Sequence, residues 1–279
     1  MRIVVRQETI YHYATPAKSV IQTLRLTPRS HDGQHVIRWR IDIDRDVRMT
    51  ESEDAFGNIT HAFHATGPID AISLRVEGEV ETHDRAGVVR DSIEPFPPSL
   101  YLRATPLTEA NAAIRDLANG LAPSTLPDLD YCHTLMAKIH EMMSLAPDTE
   151  AVMGAQSAMA TARARAADMA HVFLACARLR RIPSRFIAGH VLDPDIETAH
   201  AASHAWAEAH IAGLGWVGFD CAKDICPTDA HVRVAMGLDH LGAAPIRGAR
   251  HGGDGEYLDI KTDVRELFGD RQAQRQQQG

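Results

Sequence analysis

Two short segments of this chain carry residue types that could do acid–base chemistry. His204 lies in the segment SHAWAE, and Asp220 closes the following segment GWVGFD. A histidine can accept a proton from a nucleophile, and a carboxylate can hold an imidazole in one tautomer. Because side chains alternate along a strand, His204, Trp206 and Glu208 are predicted to point to one face, with Trp206 as a wall beside the imidazole.

Covalent acyl transfer at such a place also requires a nucleophile. Cys221 is the candidate substitute because it directly follows Asp220, although neighbouring strand residues point to opposite faces. Ser203 stands in the same relation to His204, and Cys176 lies on an apolar helical stripe that predicts a core position. The cysteines, which we predict to be reduced thiols, are Cys132, Cys176, Cys221 and Cys226.

The many histidines raise the question of a metal site. His200 and His204 are four residues apart, with His190 and His210 on the predicted strands to either side. Such spacing binds zinc when both residues lie on one helix face, whereas His204 is predicted to lie on a strand. The sequence therefore predicts no metal and no cofactor, and a metal-bound water belongs only to an alternative mechanism.

Composition narrows the range of partners. The chain has 279 residues and a formal net charge of −8, which argues against nucleic acid or an anionic membrane as the main partner. No segment is apolar enough to span a bilayer, and the first residues lack the apolar run of a signal peptide. We therefore expect a cytoplasmic protein that binds neither nucleic acid nor membrane.

Hydrophobic patterning predicts an α+β protein with a β-rich first part. Residues 37–43 and 72–80 alternate between apolar and polar side chains, which indicates strands with one buried face in a small sandwich or barrel. The predicted organisation has three parts: an N-terminal β-rich domain over 1–105, an α+β domain over 106–252, and a C-terminal extension with a polar tail over 253–279.

The α+β domain is predicted to contain helices followed by an antiparallel sheet. Thr108 is a predicted N-cap, and a long apolar helix is predicted to begin near Asp168 and to end before Pro183. Strands are predicted over 185–191, 205–211 and 216–220. Asp168 is assigned to helix capping and to the cleft, and His171 is interpreted as a buried imidazole rather than a ligand.

Several stretches, taken in order, resemble the bacterial transglutaminase-like cysteine protease family. The matching stretches read TIYHY at 9–13, LRLTPR at 24–29, DAFGN at 54–58, SHAWAE at 203–208, GWVGFD at 215–220, HVRVAMGLDH at 231–240 and PIRG at 245–248. The resemblance implies a papain-like α+β core behind an N-terminal β-sandwich-like domain. It also implies a cysteine at the N-terminus of the central helix, a histidine that takes its proton and an aspartate that orients the histidine.

By this resemblance His204 and Asp220 match the family's histidine and aspartate. The family's cysteine lies in a stretch GVCQDFAH, and the matching stretch here reads ARAADMAH, so that Ala166 occupies the position of the nucleophile. The residues around it differ as well, which favours a natural loss over an engineered substitution. If the turn between the two strands is a plain hairpin, His204 and Asp220 are out of register, and a bulge or strong twist would be needed to join them.

We derive three hypotheses from these observations. The leading one is a transglutaminase-like pseudoenzyme that uses the retained cleft to bind a peptide or protein partner. The alternative is an active amidase, protease or acyl transferase that uses Cys221 as a substitute nucleophile or a metal-bound water. The third is a scaffolding subunit in which the N-terminal β domain makes the contacts.

Overall fold

The computed structural model describes residues 1–121, 125–146, 152–193 and 204–267. Three sequence features therefore lie outside the described residues: Ser203, His200 and the predicted polar tail at 271–279. None of the described helices is long and apolar enough to cross a bilayer.

The described residues form thirteen strands and five α-helices. In chain order these are β1 (Arg2–Thr27), β2 (Gln34–Ile43), β3 (Thr50–Glu53), β4 (Ile59–Thr82), β5 (Val88–Val89), α1 (Ala112–Gly120), α2 (Asp128–Met142), β6 (Ser144–Leu145), α3 (Ala155–Thr161), β7 (Arg163–Ala164), α4 (Ala166–Leu179), β8 (Ser184–Val191), β9 (His204–Ile211), β10 (Gly215–Phe219), β11 (His231–Gly237), α5 (His240–Ala243), β12 (Ile246–His251) and β13 (Glu256–Glu266).

A six-stranded antiparallel sheet forms the first layer. Its path is β12-β1-β4-β2, with β13 also paired to β1 and β3 also paired to β4. Two long strands, β1 and β4, carry this sheet, where the sequence predicted several short strands. The strand β1 continues through Pro16 because register shifts at 12–19 absorb the break in its pairing with β4.

The predicted domain boundaries differ from this topology in two places. The strand β13 lies in the predicted C-terminal extension and β12 in the predicted second domain, yet both pair with β1. Conversely, β5 lies in the predicted first domain but pairs with β10. The β13 sequence EYLDIKTDVRE carries few apolar residues because it is an edge strand, which explains its weak sequence signal.

Alternation predicted the buried face of the first sheet with one exception. Ile72, Leu74 and Val76 are at most 3% exposed, as expected for the inward face of β4. Ile37 is 37% exposed, because a register shift between Val36 and Arg38 interrupts the alternation of β2.

A five-stranded antiparallel sheet, ordered β11-β8-β9-β10-β5, forms the second layer. The strands β8, β9 and β10 match the predicted ones closely. Ala205, Ala207 and Ala209 on one face of β9 are nearly inaccessible and belong to the same core cluster as α4. Small side chains at these positions let the helix lie close to the sheet.

The central helix α4 is buried along almost its whole length. Its first turn is capped by Asp168, whose Oδ2 accepts from the backbone N–H of Arg165 at 2.8 Å. The helix ends at Leu179, and Pro183 precedes β8, as predicted. The short connection 180–183 places the C-terminal end of α4 at the start of β8, so Ala166 lies towards the end of the sheet where β8 ends and β9 begins.

One local prediction on the preceding helices was wrong. Thr108 ends a short 3₁₀ turn, and the N-cap of α1 is Asn111, whose side chain accepts from the backbone N–H of Ile114 at 3.1 Å.

Candidate active site

His204 and Asp220 meet at the end of the second sheet. Nε2 of His204 lies 2.5 Å from Oδ2 of Asp220. The uninterrupted pairing of β9 with β10 matches Phe219 to Ala207, which leaves His204 two residues out of register with Asp220. Side chains at such diagonal positions remain within reach, so the pair forms without the predicted bulge.

Four donors surround the Asp220 carboxylate, which is fully buried. Oδ2 also accepts from Nε2 of His231 at 3.1 Å, and Oδ1 accepts from the backbone N–H groups of Ala222 at 3.0 Å and Lys223 at 3.3 Å. Burial alone would raise the pKa of Asp220, but the contacts with the two histidines outweigh it and hold the pKa well below its usual range. Asp220 therefore stays ionised at neutral pH.

His231 is a site residue that the sequence does not identify, because its stretch resembles only the closing strand of the family. Its Nδ1 accepts from the backbone N–H of Thr228 at 3.1 Å. The proton of the neutral ring must then be on Nε2, which donates to Asp220. The topological signal for its role is that β11 begins at the end of the sheet where β9 begins and β10 ends.

The same reasoning fixes the tautomer of neutral His204. Asp220 accepts hydrogen bonds only, so Nε2 of His204 carries the proton and Nδ1 keeps its lone pair. Within the described part of the chain, no donor or acceptor contacts this Nδ1. The imidazole is about 10% exposed at its side chain, so a small surface remains open at the end of the sheet. His204 thus presents an oriented basic nitrogen.

Ligand-type atoms of His204, Asp220 and His231 all lie within 4.8 Å of one another, which would suit a metal ion by distance alone. However, Nδ1 of His231 accepts a backbone N–H, so its Nε2 is protonated and has no lone pair for a metal. A metal-bound histidine normally donates its second ring N–H instead. The tautomer therefore argues against a metal at this cluster.

Comparisons with known proteins agree over nearly the whole chain. Residues 3–81 match the bacterial transglutaminase-like N-terminal region, and residues 115–221 match the transglutaminase-like superfamily. The chain belongs to the bacterial transglutaminase-like family. An uncharacterized protein of Mycobacterium leprae is 25% identical over 288 residues, covering 96% of this chain and 99% of the relative.

Two further similarities extend this result. An uncharacterized protein of Mycobacterium tuberculosis is 23% identical over 306 residues, covering 95% of this chain and 93% of the relative. The crystal structure of a candidate cysteine protease from Cytophaga hutchinsonii superposes with a TM-score of 0.72 at 16% identity, covering 96% of this chain and 92% of that chain. The transglutaminase-like fold, with its sheet-rich N-terminal region, is thereby established.

Ala166, which the sequence resemblance predicts to stand at the nucleophile position, is the first residue of α4 and is half-buried. Asp168, predicted to line the cleft, is fully buried instead. Its Oδ1 accepts from the backbone N–H of Met153 at 2.6 Å, while its Oδ2 caps the helix. Both carboxylate oxygens are therefore occupied by backbone donors, which leaves Asp168 a structural role in the first turn.

Trp206 and Glu208 share the face of β9 that begins with His204, as alternation predicted. The Trp206 ring lies 6.2 Å from that of His204 and 5.4 Å from that of His231, centroid to centroid. The carboxylate of Glu208, predicted as a cleft residue, is fully buried and pairs with Arg185 at 2.6 Å and with Arg233 at 2.8 Å.

The environment of Glu208 decides its charge. Burial by itself would raise its pKa, but Arg233 and Arg185 outweigh that effect and lower the pKa to about 2. The Arg185 guanidinium, also fully buried, lies 3.9 Å above the Trp216 ring and pairs with Glu94 at 2.8 Å. Glu208 is thus the centre of a buried ion-pair network rather than a cleft acid.

None of the cysteines has the environment of an activated thiol. Cys221 is 2% exposed and lies in the core, where burial raises the pKa of its thiol well above the usual value. Burial also raises the pKa values of Cys132, Cys176 and Cys226. The position of Cys221 agrees with the alternation that points it away from Asp220.

His171 is a buried structural residue of α4. Its Nδ1 lies 2.9 Å from the carbonyl oxygen of Met153, and its Nε2 accepts from the backbone N–H of His240 at 3.1 Å. Both nitrogens are therefore used by a neutral ring with its proton on Nδ1. Burial lowers the pKa of His171 from 6.5 to about 4.

This depressed pKa predicts a pH-dependent stability. The unfolded chain binds a proton at His171 below pH 6.5 and the folded chain does not, so the stabilisation is complete above pH 6.5 and is lost as pH falls towards 4. His171→Gln should reduce the slope of unfolding free energy against pH in this range by about 1.4 kcal/mol per pH unit. Urea titrations from neutral to mildly acidic pH measure this slope.

His35→Gln provides the control, since His35 is exposed on β2. It should leave the slope as in the wild type. An unchanged slope in His171→Gln would show that His171 is protonated in the folded protein at the same pH as in the unfolded chain.

Proposed function

We propose that this member of the transglutaminase-like family lacks covalent catalysis and uses its retained cleft to bind a peptide or protein partner. The observation that carries the proposal is the alanine at the first residue of α4, at the end of the sheet that holds an oriented His204–Asp220 pair. Covalent acyl transfer requires a nucleophile beside such a base, and all four thiols have raised pKa values.

The retained groups suit the recognition of an extended polar chain. Nδ1 of His204 can accept a hydrogen bond, and the backbone N–H groups of the first turn of α4 can donate. A groove open to solvent lies beside this end of the sheet, with His231, Trp206, Glu208 and Arg233 in its lining. A peptide offers both carbonyl acceptors and N–H donors, so it could use both kinds of group.

The alternative hypotheses receive less support. Catalysis by Cys221 would need an exposed thiolate, whereas this thiol is buried with a raised pKa. A metal-bound water would require an unprotonated Nε2 on His231. Because Nδ1 of His231 accepts the hydrogen bond from the backbone N–H of Thr228, Nε2 of the neutral ring carries the proton instead. The scaffolding hypothesis, with contacts through residues 1–105, differs from cleft binding in predicting that a substitution at the start of α4 leaves partner binding unchanged.

Enzymatic activity is tested with transfer of a fluorescent dansyl amine to dimethylated casein. Wild-type protein is expected to show no more transfer or amide hydrolysis than His204→Ala. His204-dependent turnover in the wild-type protein would overturn the proposal.

Peptide binding is tested on an array of immobilised random peptides probed with full-length protein. Ala166→Trp should block the start of α4 sterically and lower the signal about tenfold, which corresponds to a loss of about 1.4 kcal/mol of binding free energy. The control Ala113→Trp places the same bulk on the exposed face of α1. Equal binding by both variants would indicate that the peptide contacts another surface, and it would contradict binding in the cleft.

The proposal includes a cytoplasmic location. The four cysteines are free, which is compatible with a reducing compartment. Cell fractionation with an antibody against the full-length chain tests this part, and recovery in a secreted or envelope fraction would refute it.

A further inference from the structure

The strand β11 is an edge of the second sheet, yet two side-chain amides from the N-terminal region occupy its outer side. Gln34 donates from Nε2 to the carbonyl of Arg233 at 2.9 Å and accepts from its N–H at 2.8 Å. Asn58 donates from Nδ2 to the carbonyl of Met236 at 2.8 Å and accepts from its N–H at 2.8 Å. Each amide makes the pair of bonds that a neighbouring strand would make.

The turn before β4 fixes the orientation of Asn58. Asp54 Oδ1 accepts from the backbone N–H groups of Phe56 at 2.9 Å and Asn58 at 3.0 Å, and its Oδ2 accepts from Nδ2 of Asn58 at 3.0 Å. Gly57 adopts φ +81°, a conformation that side chains rarely tolerate. These contacts explain why the segment DAFGN has aspartate, glycine and asparagine at positions 54, 57 and 58.

A second contact runs from the same turn to the site through packed rings. Phe56 packs against a buried cluster of Ile187, Trp206 and Met236. Trp206 in turn contacts the rings of His204 and His231. The turn therefore reaches the site both through the backbone of β11 and through the Trp206 side chain.

We propose that Gln34 and Asn58 are positioning residues for the histidine pair on Asp220. They hold β11, and His231 is the first residue of that strand, two residues before Arg233. If β11 is free to shift, His231 loses its place against Asp220, and Asp220 keeps only one of its two histidine donors. The inference does not depend on whether the cleft binds peptide or performs chemistry.

Histidine ¹⁵N NMR of the full-length protein tests the proposal, because protonated and unprotonated ring nitrogens have distinct shifts. In the wild type, His204 and His231 should each show a protonated Nε2 and an unprotonated Nδ1. In Asn58→Leu the His231 ring should show shifts averaged between tautomers, with loss of its Nε2–H signal, while His204 keeps its tautomer because Asp220 still accepts from its Nε2. Gln34→Leu removes the other amide and should give the same change if Asn58→Leu does not fold.

Phe63→Leu is the matched control, since Phe63 is 3% exposed and belongs to the core cluster of the first sheet, which contains no residue of β11. Denaturant titration would verify that it loses a comparable amount of stability. Unchanged tautomers in Phe63→Leu and averaged tautomers in Asn58→Leu would support positioning. Unchanged tautomers in both amide variants, or equal averaging in Phe63→Leu, would overturn it.

Discussion

Replacing Ala166 with cysteine is expected to create the most reactive thiol of the molecule. Residue 166 is the first of α4, where the helix dipole and free backbone N–H groups stabilise a thiolate, and His204 provides a base at the same end of the sheet. Alkylation by iodoacetamide at about pH 6 should be on the order of 10- to 100-fold faster than that of any native cysteine. Site-resolved mass spectrometry of the native protein gives these rates.

Two comparisons make the result specific. In wild-type protein all four cysteines should label slowly, because burial raises their pKa values. Adding His204→Ala to Ala166→Cys should remove most of the gain. If the introduced thiol labels no faster than Cys226, the half-buried native cysteine, then residue 166 and His204 do not share a cleft.

Loss of the Glu208 charge is expected to be the most destabilising single change described here. Glu208→Gln leaves Arg185, which is fully buried, with only part of its compensation. Breaking a buried ion pair from one side costs roughly 3–5 kcal/mol of unfolding free energy, because an uncompensated charge stays in the interior. Chemical denaturation at neutral pH measures the loss.

The paired replacement Arg185→Met with Glu208→Leu should cost less than the sum of the two single changes, since both buried charges are removed together. Glu77→Gln serves as the control, because the ion pair of Glu77 with Arg6 is about half exposed on each side, at 51% and 52%. It should leave the unfolding free energy unchanged within error. Additive losses in the paired variant would argue against a coupled network.

Much of the second layer could be predicted from the sequence because its signals are local. The apolar run of α4 ends at Pro183, and the strands β8, β9 and β10 are bounded by turn residues. Helix capping by Asp168 follows from its distance to the helix start. In each case a single segment contains all the information that the prediction needs.

The missed features depend on contacts between distant segments. The alternation of side chains along β9 correctly predicted that Glu208 lies on the same face as His204. The arginines that neutralise the Glu208 carboxylate, Arg185 and Arg233, come from two other strands. The role of His231 depends on the pairing of β11 with β8, which brings the start of β11 to the end of the sheet that holds Asp220. The strand β13 has an ordinary polar sequence and finds its place only through pairing with β1.

The side-chain amides on β11 also restrict how a partner can be recognised. Gln34 and Asn58 occupy the backbone groups of Arg233 and Met236 on one edge of the second sheet, and β5 covers part of the opposite edge at Trp216 and Val217. A bound peptide would find few free backbone groups there for addition as a further strand. Selectivity would then rest on side chains at the strand ends, and the same shielding would keep two copies of the protein from joining through the edges of the second sheet.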